Sequence, residues 1–264
     1  MKTTWNAEHY LKFGTQRTRP AADLVSRIQV AEPQTIVDLG CGPGNSTQVL
    51  ISRWPNSKII GVDSSTEMIE AGRKRHPNQE WIIADASKWS NQKTFDVVFS
   101  NAMLHWIPDH PTLISHLYSL VAEGGALAFQ IPCGTDAPVR RHIQEISRDP
   151  QWSDGMDAAR STFTVEDPSV YYDLLSPHSR MVDIWKTTYI EIMDSAEAII
   201  DWLSSTGLRP YLDALSTQAE YKRFVEMLTE RVANAYPTRN DGKVLFPFER
   251  LFVVAYRNVW ASYP

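Results

Sequence analysis

The chain has 264 residues, of which 43% are hydrophobic, so it can bury the core of one large domain or of one domain with a smaller insert. Its formal net charge of −5 argues against a protein that wraps nucleic acid, because such binding needs clustered Lys and Arg. Its two cysteines, Cys41 and Cys133, have neither metal-ligand spacing nor the density of a disulfide scaffold, and no apolar stretch reaches the length of a membrane span. We therefore expect a cytoplasmic protein without a metal, a nucleic-acid partner or a membrane partner.

Short β-branched segments alternate with helical ones through the first half of the chain, which is typical of a doubly wound parallel sheet. We predict strands at residues 35–39, 58–62, 81–84, 95–100 and 126–131. Helices are predicted between them at residues 45–54, 66–76 and 111–120. Five β/α units in a row predict an α/β fold of the nucleotide-binding type.

After Pro132 the regular alternation of strands and helices gives way to a pattern of loops, helical segments and aromatic turns. We predict a strand at 181–193, an N-capped helix at 195–205, a helix at 216–235 whose Thr217 and Glu220 have capping-box spacing, and a last strand at 248–256. The overall prediction is one domain, residues 1–264, with a mostly parallel sheet and a helical cap inserted near the C-terminal strands. Segments 133–180 and 195–240 are predicted to form that cap or insert over the substrate site.

A glycine-rich loop follows the first predicted strand and precedes a helix, so its backbone can approach a ligand closely. Its glycines are Gly40, Gly42 and Gly44, whereas a dinucleotide fingerprint has its third glycine three residues after the second. Pro43 also removes a backbone donor that a phosphate cradle would use. The loop thus favours a cofactor without phosphate, such as S-adenosylmethionine; the alternative is that the glycines only form a tight strand-to-helix turn.

Two acidic residues follow the next two predicted strands, at the edge where open α/β sheets bind ligands. Asp63 is placed where a carboxylate can accept hydrogen bonds from both ribose hydroxyls, and Asp85 where an acid can accept one from the exocyclic amine of adenine. The alternatives are a helix cap for Asp63 and a solvated loop residue for Asp85. Together with the glycines, these acids predict a nucleoside-binding site built from three consecutive strand ends.

Residues 37–44, with Asp63 and Asp85, resemble the cofactor site of the Rossmann-like class I methyltransferases. Segments 5–6, 17–20, 41–47, 183–189, 198–210 and 250–255 resemble the trans-aconitate methyltransferase family, so the resemblance covers nearly the whole chain. It implies transfer of a methyl group from S-adenosylmethionine to a carboxylate of trans-aconitate or a closely related small polycarboxylate. The products would be a monomethyl ester and S-adenosylhomocysteine.

The resemblance implies cofactor contacts at Gly40, Asp63 and Asp85. Residues expected to line the same cleft are Asp38, Cys41, Gly42, Ser64, Met68, Ala86 and Asn101. Cys41 is expected to be a small filler. His105 and Trp106 follow the fourth strand and are candidates for substrate binding; a capped loop with a packed Trp is the alternative.

No catalytic residue of general acid or base type is expected, because a carboxylate with a reference pKa of about 4 is already ionised at neutral pH. A tricarboxylate instead needs cationic partners, and the planar fork of Arg suits a carboxylate. The preferred candidates are Arg17 and Arg209, and further ones are Arg19, Arg160 and Arg250. Tyr172 is a candidate substrate contact, and Tyr10, Phe13 and Tyr171 are candidates to close over the cofactor or to donate to the substrate; packing in the core or cap is the alternative for all four. Two alternatives stay open: another small-metabolite methyltransferase, and a protein that binds S-adenosylmethionine without turnover.

Overall fold

The computed structural model describes residues 14–152 and 155–259, and side chains from residue 18 onward. Its strands are β1 (Thr35–Leu39), β2 (Lys58–Asp63), β3 (Glu80–Ile83), β4 (Phe95–Asn101), β5 (Val121–Pro132), β6 (Ser179–Met193) and β7 (Val244–Arg257). Its α-helices are α1 (Gly14–Arg27), α2 (Asn45–Arg53), α3 (Thr66–Arg75), α4 (His110–Ser119), α5 (Pro138–Ile146), α6 (Asp157–Arg160), α7 (Pro168–Leu175), α8 (Ala196–Ser204), α9 (Arg209–Asp213) and α10 (Gln218–Ala235).

The strands form one seven-stranded sheet in the order β3-β2-β1-β4-β5-β7-β6. Strands β1 to β5 pair in parallel. The order reverses between β1 and β4, and in open α/β sheets such a reversal opens a ligand crevice at the carboxyl ends of the strands. The predicted α/β, doubly wound and mostly parallel fold is confirmed. The strand order reverses next to β1, where the glycine-rich loop begins.

The central strands are apolar because both faces of a parallel sheet are covered. Ile36, Val37 and Leu39 of β1 are fully buried, and so are Val97 and Val98 of β4. Such continuous apolar runs are what made these strands predictable. They provide a rigid support for the loops at their carboxyl ends.

The chain divides into two compact units. The larger unit contains the described residues 14–131, Thr164–Lys186 and 251–259, and the smaller unit contains Pro132–Phe163 and Thr187–Arg250. Strands β6 and β7 run through both. The segment predicted as 133–180 is therefore split, and its second part belongs to the larger unit, where α7 packs against α4.

In the smaller unit, α10 packs against α5 and α8. Its apolar face buries Phe224, Leu228 and Val232, and the Phe224 ring lies 5.5 Å from that of Trp152. The Ser195 side chain caps α8, as predicted. Thr217 and Glu220 form a complete capping box, also as predicted, and α10 begins at Gln218, two residues after the predicted start. Within the described residues, no helix combines the length and the apolar composition that crossing a membrane requires.

Two strands begin four or more residues earlier than predicted. β5 begins at Val121, five residues before the predicted start, because Gly124 and Gly125 read as a turn although they lie inside the strand. Gly124 has a φ of +73°, and the pairing of β4 with β5 shifts register between Phe95 and Val97. β7 likewise begins at Val244 rather than at residue 248.

Candidate active site

The glycine-rich loop takes the chain from β1 to α2 through backbone conformations that favour glycine. Gly40 has a φ of +71° and donates a hydrogen bond from its N–H to the Val62 carbonyl at 2.8 Å. A Cβ at Gly40 would overlap Cγ of Met103, so packing alone demands glycine there. Gly42 has a φ of +53°, but a Cβ there would meet no atom of the described residues within 4 Å. Open space therefore lies beside the loop at Gly42, and a tight turn alone would not need that space.

Asp63, the last residue of β2, connects this loop to the start of α3. Its Oδ2 accepts a hydrogen bond from the Gly42 N–H at 3.0 Å, and its Oδ1 accepts one from the Ser65 N–H at 2.9 Å. Burial raises the pKa of this half-buried carboxyl, and the backbone hydrogen bonds oppose that rise. Of the neighbouring candidates, Ser64 is exposed and Met68 is buried.

Asp38 in β1 is fully buried next to the start of α2. Its Oδ2 accepts hydrogen bonds from the hydroxyls of Ser46 and Thr47, each at 2.7 Å. Its Oδ1 is also buried and has no hydrogen-bond partner among the residues that the structure describes. Burial raises the pKa of Asp38 to about 6, against the effect of the two hydroxyls. A buried oxygen with unused lone pairs is an acceptor available to a ligand.

Cys41 packs against Ile69 and Trp81 and is 3% exposed. Burial raises the pKa of its thiol, which keeps the sulfur protonated at neutral pH. Since the thiolate is the nucleophilic form, Cys41 fills space in this site, and no covalent chemistry is expected from it.

Asp85 follows β3 close to Asp63, whose backbone carbonyl accepts a hydrogen bond from the Ala84 N–H. The Asp85 carboxylate is exposed, and its Oδ1 accepts from the backbone N–H and the hydroxyl of Ser87 at 2.9 and 2.7 Å. The Ser87 hydroxyl lowers the pKa of Asp85, so the group is ionised at neutral pH. The adjacent Ala86 is buried.

The carboxyl end of β4 contributes a third set of polar groups. Asn101 is in register with Gln130 of β5, and its buried Oδ1 has no hydrogen-bond partner within the described part of the chain. A 3-10 turn, Leu104–Trp106, follows; His105 is 4% exposed, and its ring centroid lies 4.6 Å from that of Trp106. Sequence reasoning missed Gln130, a fully buried polar residue whose only signal is its place near the end of a predicted strand.

The structure separates the two neighbouring tyrosines of α7. Tyr172 is 52% exposed, whereas Tyr171 is fully buried and its hydroxyl lies 2.5 Å from Nδ1 of His110. Tyr10, Phe13 and the side chain of Arg17 lie outside the described residues.

The other candidate arginines have neighbours inside their own units. In the smaller unit, Nε of Arg209 lies 3.6 Å from Oδ2 of Asp213, Arg160 pairs with Asp157, and Arg250 lies over the ring of Phe248 at 4.5 Å. Arg19 is an exposed residue of α1 in the larger unit.

Sequence reasoning also passed over Arg140 in the smaller unit. Its guanidinium lies 3.4 Å above the centroid of Phe163, and burial lowers its pKa. Among the described residues, the other group that interacts with this guanidinium is the Tyr211 phenol. Burial raises the pKa of the buried Tyr211 phenol, which is therefore neutral at neutral pH.

Comparison with known proteins identifies the family of the chain. Residues 36–125 match the family described as "Methyltransferase domain". The trans-aconitate 2-methyltransferase of Azoarcus sp. is 44% identical over 96% of this chain and 99% of its own length, and that of Afipia carboxidovorans is 45% identical with the same coverage. Phosphoethanolamine N-methyltransferase 2 of Haemonchus contortus, solved with S-adenosylhomocysteine, has a TM-score of 0.58 and 15% identity, over 91% of this chain and 53% of its own. That last likeness concerns the fold, whereas the two full-length relatives show that the chain belongs to the trans-aconitate 2-methyltransferase family.

Proposed function

We propose that this protein transfers the methyl group of S-adenosylmethionine to a carboxylate of trans-aconitate, giving a monomethyl ester and S-adenosylhomocysteine. The observation that carries the proposal is the similarity to curated trans-aconitate 2-methyltransferases, which extends over 96% of the chain at 44 to 45% identity.

The residues at the carboxyl end of the sheet fit S-adenosylmethionine on three counts. Open space lies beside Gly42, where a Cβ would meet no atom of residues 14–152 or 155–259. The buried Oδ1 of Asp38 has no protein partner among the described residues and suits an ammonium donor. Asp63 keeps a half-buried carboxylate at a strand end, the usual place for contacts to ribose hydroxyls.

We therefore assign these residues to the cofactor as follows. Asp63 binds the ribose hydroxyls, Asp85 with Ala86 binds adenine, and Asp38 binds the methionine end. Asn101 faces the same end from β4. Gly40, Cys41, Gly42, Ser64 and Met68 complete the lining. When bound, S-adenosylmethionine supplies an electrophilic methyl group on a sulfonium.

The protein has no proton to remove from the acid, because a carboxylate with a reference pKa of about 4 is ionised at neutral pH. Its contribution is to hold one carboxylate oxygen in line with the methyl group and to keep water away. Such positioning is worth roughly 7 to 11 kcal/mol in favourable systems. His105 and Trp106, which follow Asn101 by four and five residues, are assigned to the substrate side and orient the substrate oxygens.

Arginines are assigned to the remaining carboxylates of the substrate. Arg209 keeps the role that the sequence predicted. Arg140 joins it because the described groups beside its half-buried guanidinium are the Phe163 ring and the Tyr211 phenol, neither of which is a carboxylate. An unpaired cation on an aromatic face is placed to bind an anion, since burial without a partner is unfavourable. Arg17 and Tyr172 remain proposed substrate contacts.

A panel assay tests the proposal. The protein is incubated with labelled S-adenosylmethionine and a series of di- and tricarboxylic acids, and the products are examined for base-labile methyl esters. We expect trans-aconitate to be the preferred acceptor. Preference for another metabolite would replace the substrate assignment, and tight cofactor binding without any transfer would indicate a binding protein.

Three variants separate cofactor from substrate contacts. Asp63→Ala should weaken S-adenosylhomocysteine binding in calorimetry. Arg209→Ala and Arg140→Met should instead raise the KM for trans-aconitate and leave that binding within about twofold. Arg231→Met is the matched control for Arg140→Met, because Arg231 is already paired with Glu145 at 2.9 Å. Wild-type KM in either arginine variant would remove that residue from the substrate site.

We also propose a cytoplasmic location and a small-molecule substrate without nucleic acid. The net charge of −5 and the two buried free thiols of Cys41 and Cys133 support this. Fractionation of the native cells with immunodetection would test the location.

A further inference from the structure

A buried hydrogen-bond chain holds the segment between β4 and α4, residues 102–109, which we call the β4–α4 turn. Nε2 of His110 lies 3.1 Å from the Leu104 carbonyl oxygen, and Nδ1 of His110 lies 2.5 Å from the Tyr171 hydroxyl. The Tyr171 oxygen in turn accepts from the Glu166 N–H at 3.1 Å. Leu104, His110 and Tyr171 are all fully buried, so water does not replace these bonds.

The hydrogen-bond partners determine which atom carries each proton in this hydrogen-bond chain. A carbonyl oxygen only accepts, so Nε2 of His110 must carry a proton and donate it to Leu104. Nδ1 is then the acceptor, and the Tyr171 hydroxyl donates to it while accepting from Glu166. Burial lowers the pKa of His110, which keeps the imidazole neutral and this arrangement intact at neutral pH.

The β4–α4 turn needs such support because its backbone is strained at both ends. Ala102 has a φ of +57° and Asp109 a φ of +55°, and these are the two non-glycine residues with positive φ among those described. Strained residues of this kind persist where the surroundings over-determine them, and they concentrate at functional sites. A second bond acts at the middle of the turn, where the Thr164 N–H donates to the His105 carbonyl at 2.9 Å.

We propose that Tyr171 and His110 are positioning residues for methyl transfer, which act by fixing the β4–α4 turn. This rests on the proposed function, because the turn carries His105 and Trp106, assigned above to the substrate. It also carries Met103, whose side chain packs against Gly40 of the cofactor loop. Neither Tyr171 nor His110 needs to touch the substrate. Their hydrogen bonds fix the β4–α4 turn, and the turn in turn positions His105 and Trp106.

Tyr171→Phe tests the inference in the full-length protein. The substitution keeps the ring, which lies edge-on to Phe129 at 5.4 Å, and removes only the hydroxyl. We expect kcat for trans-aconitate to fall about 10- to 100-fold, since small misplacements of reacting groups have effects of that size. The dissociation constant of S-adenosylhomocysteine should stay within about twofold, because the Asp63 contacts are untouched. Amide hydrogen exchange in peptides covering residues 102–109 should become faster.

Tyr118→Phe is the matched control. Tyr118 is 8% exposed, and its hydroxyl also makes two hydrogen bonds, to the His178 carbonyl at 3.0 Å and to the Ser179 hydroxyl at 2.6 Å. It should lose comparable stability while kcat and exchange in the β4–α4 turn stay at wild-type levels. Equal kcat and equal exchange in the two Phe variants would overturn the inference.

A second pair of variants keeps the test decisive if Tyr171→Phe does not fold. His110→Gln retains an N–H that can donate to Leu104, whereas His110→Leu does not, so Gln should recover most of the kcat that Leu loses. Equal activity of these two variants would also overturn the inference. Wild-type protein that does not methylate trans-aconitate would refute the proposed function instead, and hydrogen exchange of the turn would still decide the positioning role.

Discussion

Asp38→Asn tests whether burial destabilises the charge on the carboxylate of β1. Burial raises the pKa of Asp38 from 3.8 to about 6. Between these values the folded chain holds a proton that the unfolded chain has lost, so stability falls as the pH rises through this window. At about 1.4 kcal/mol per pH unit, the wild-type protein loses roughly 3 kcal/mol by pH 7. About 2 kcal/mol of that loss falls between pH 4.5 and pH 7.5.

An amide at position 38 does not titrate. The unfolding free energy of Asp38→Asn relative to wild type should therefore rise by about 2 kcal/mol from pH 4.5 to pH 7.5. Urea unfolding at four pH values measures the difference, and groups that titrate in both proteins, such as Asp63, largely cancel. Parallel pH profiles for the two proteins would refute the reasoning.

The same carboxylate couples protonation to ligand binding. A ligand ammonium at Oδ1 of Asp38 would favour the ionised form and lower its pKa. Binding of S-adenosylhomocysteine at pH 6 should then release protons, which calorimetry in two buffers of different ionisation enthalpy detects. The release should be absent in Asp38→Asn, and equal release in both proteins would contradict the assignment of Asp38 to the methionine end.

Two further substitutions probe the glycine-rich loop. Gly42→Ala should destabilise the fold by only about 1 to 2 kcal/mol, the effect of a left-handed conformation, because its Cβ meets no atom in the described part of the chain. S-adenosylhomocysteine affinity should fall at least tenfold. Wild-type affinity in calorimetry would mean that the cofactor does not use that space. Cys41→Ala should lower the unfolding free energy by about 1 kcal/mol through lost packing. Its kcat should stay within about twofold of wild type. A tenfold loss of turnover would show that the sulfur takes part in the reaction.

Much of the sheet could be predicted because its central strands are continuous apolar runs. The bounds of β1 were predicted residue for residue, and those of β2 and β4 to within one residue. The start of β5 was missed because two adjacent glycines signal a turn in sequence, whereas here Gly124 lies within a strand that shifts register. Local sequence does not reveal such irregularities, which depend on the neighbouring strand.

In the candidate site too, some residues could be predicted from local sequence and others depend on contacts between distant segments. Asp38, Asp63 and Asp85 could be placed at strand ends from sequence, since parallel strands bring their carboxyl ends to one edge, and their binding roles stay predictions. The partners of Tyr171 could not be predicted, because His110 lies 61 residues away in sequence. Arg140 was missed for a similar reason: its contacts with Phe163 and its neighbour Tyr211 exist only in the folded smaller unit.

The most direct test of the central claim is a mass-spectrometric single-turnover measurement with isotope-labelled S-adenosylmethionine and trans-aconitate. We predict one labelled methyl group per product molecule, released as methanol in mild base, together with one equivalent of S-adenosylhomocysteine. Unlabelled trans-aconitate from enzyme that has bound its cofactor would contradict the claim.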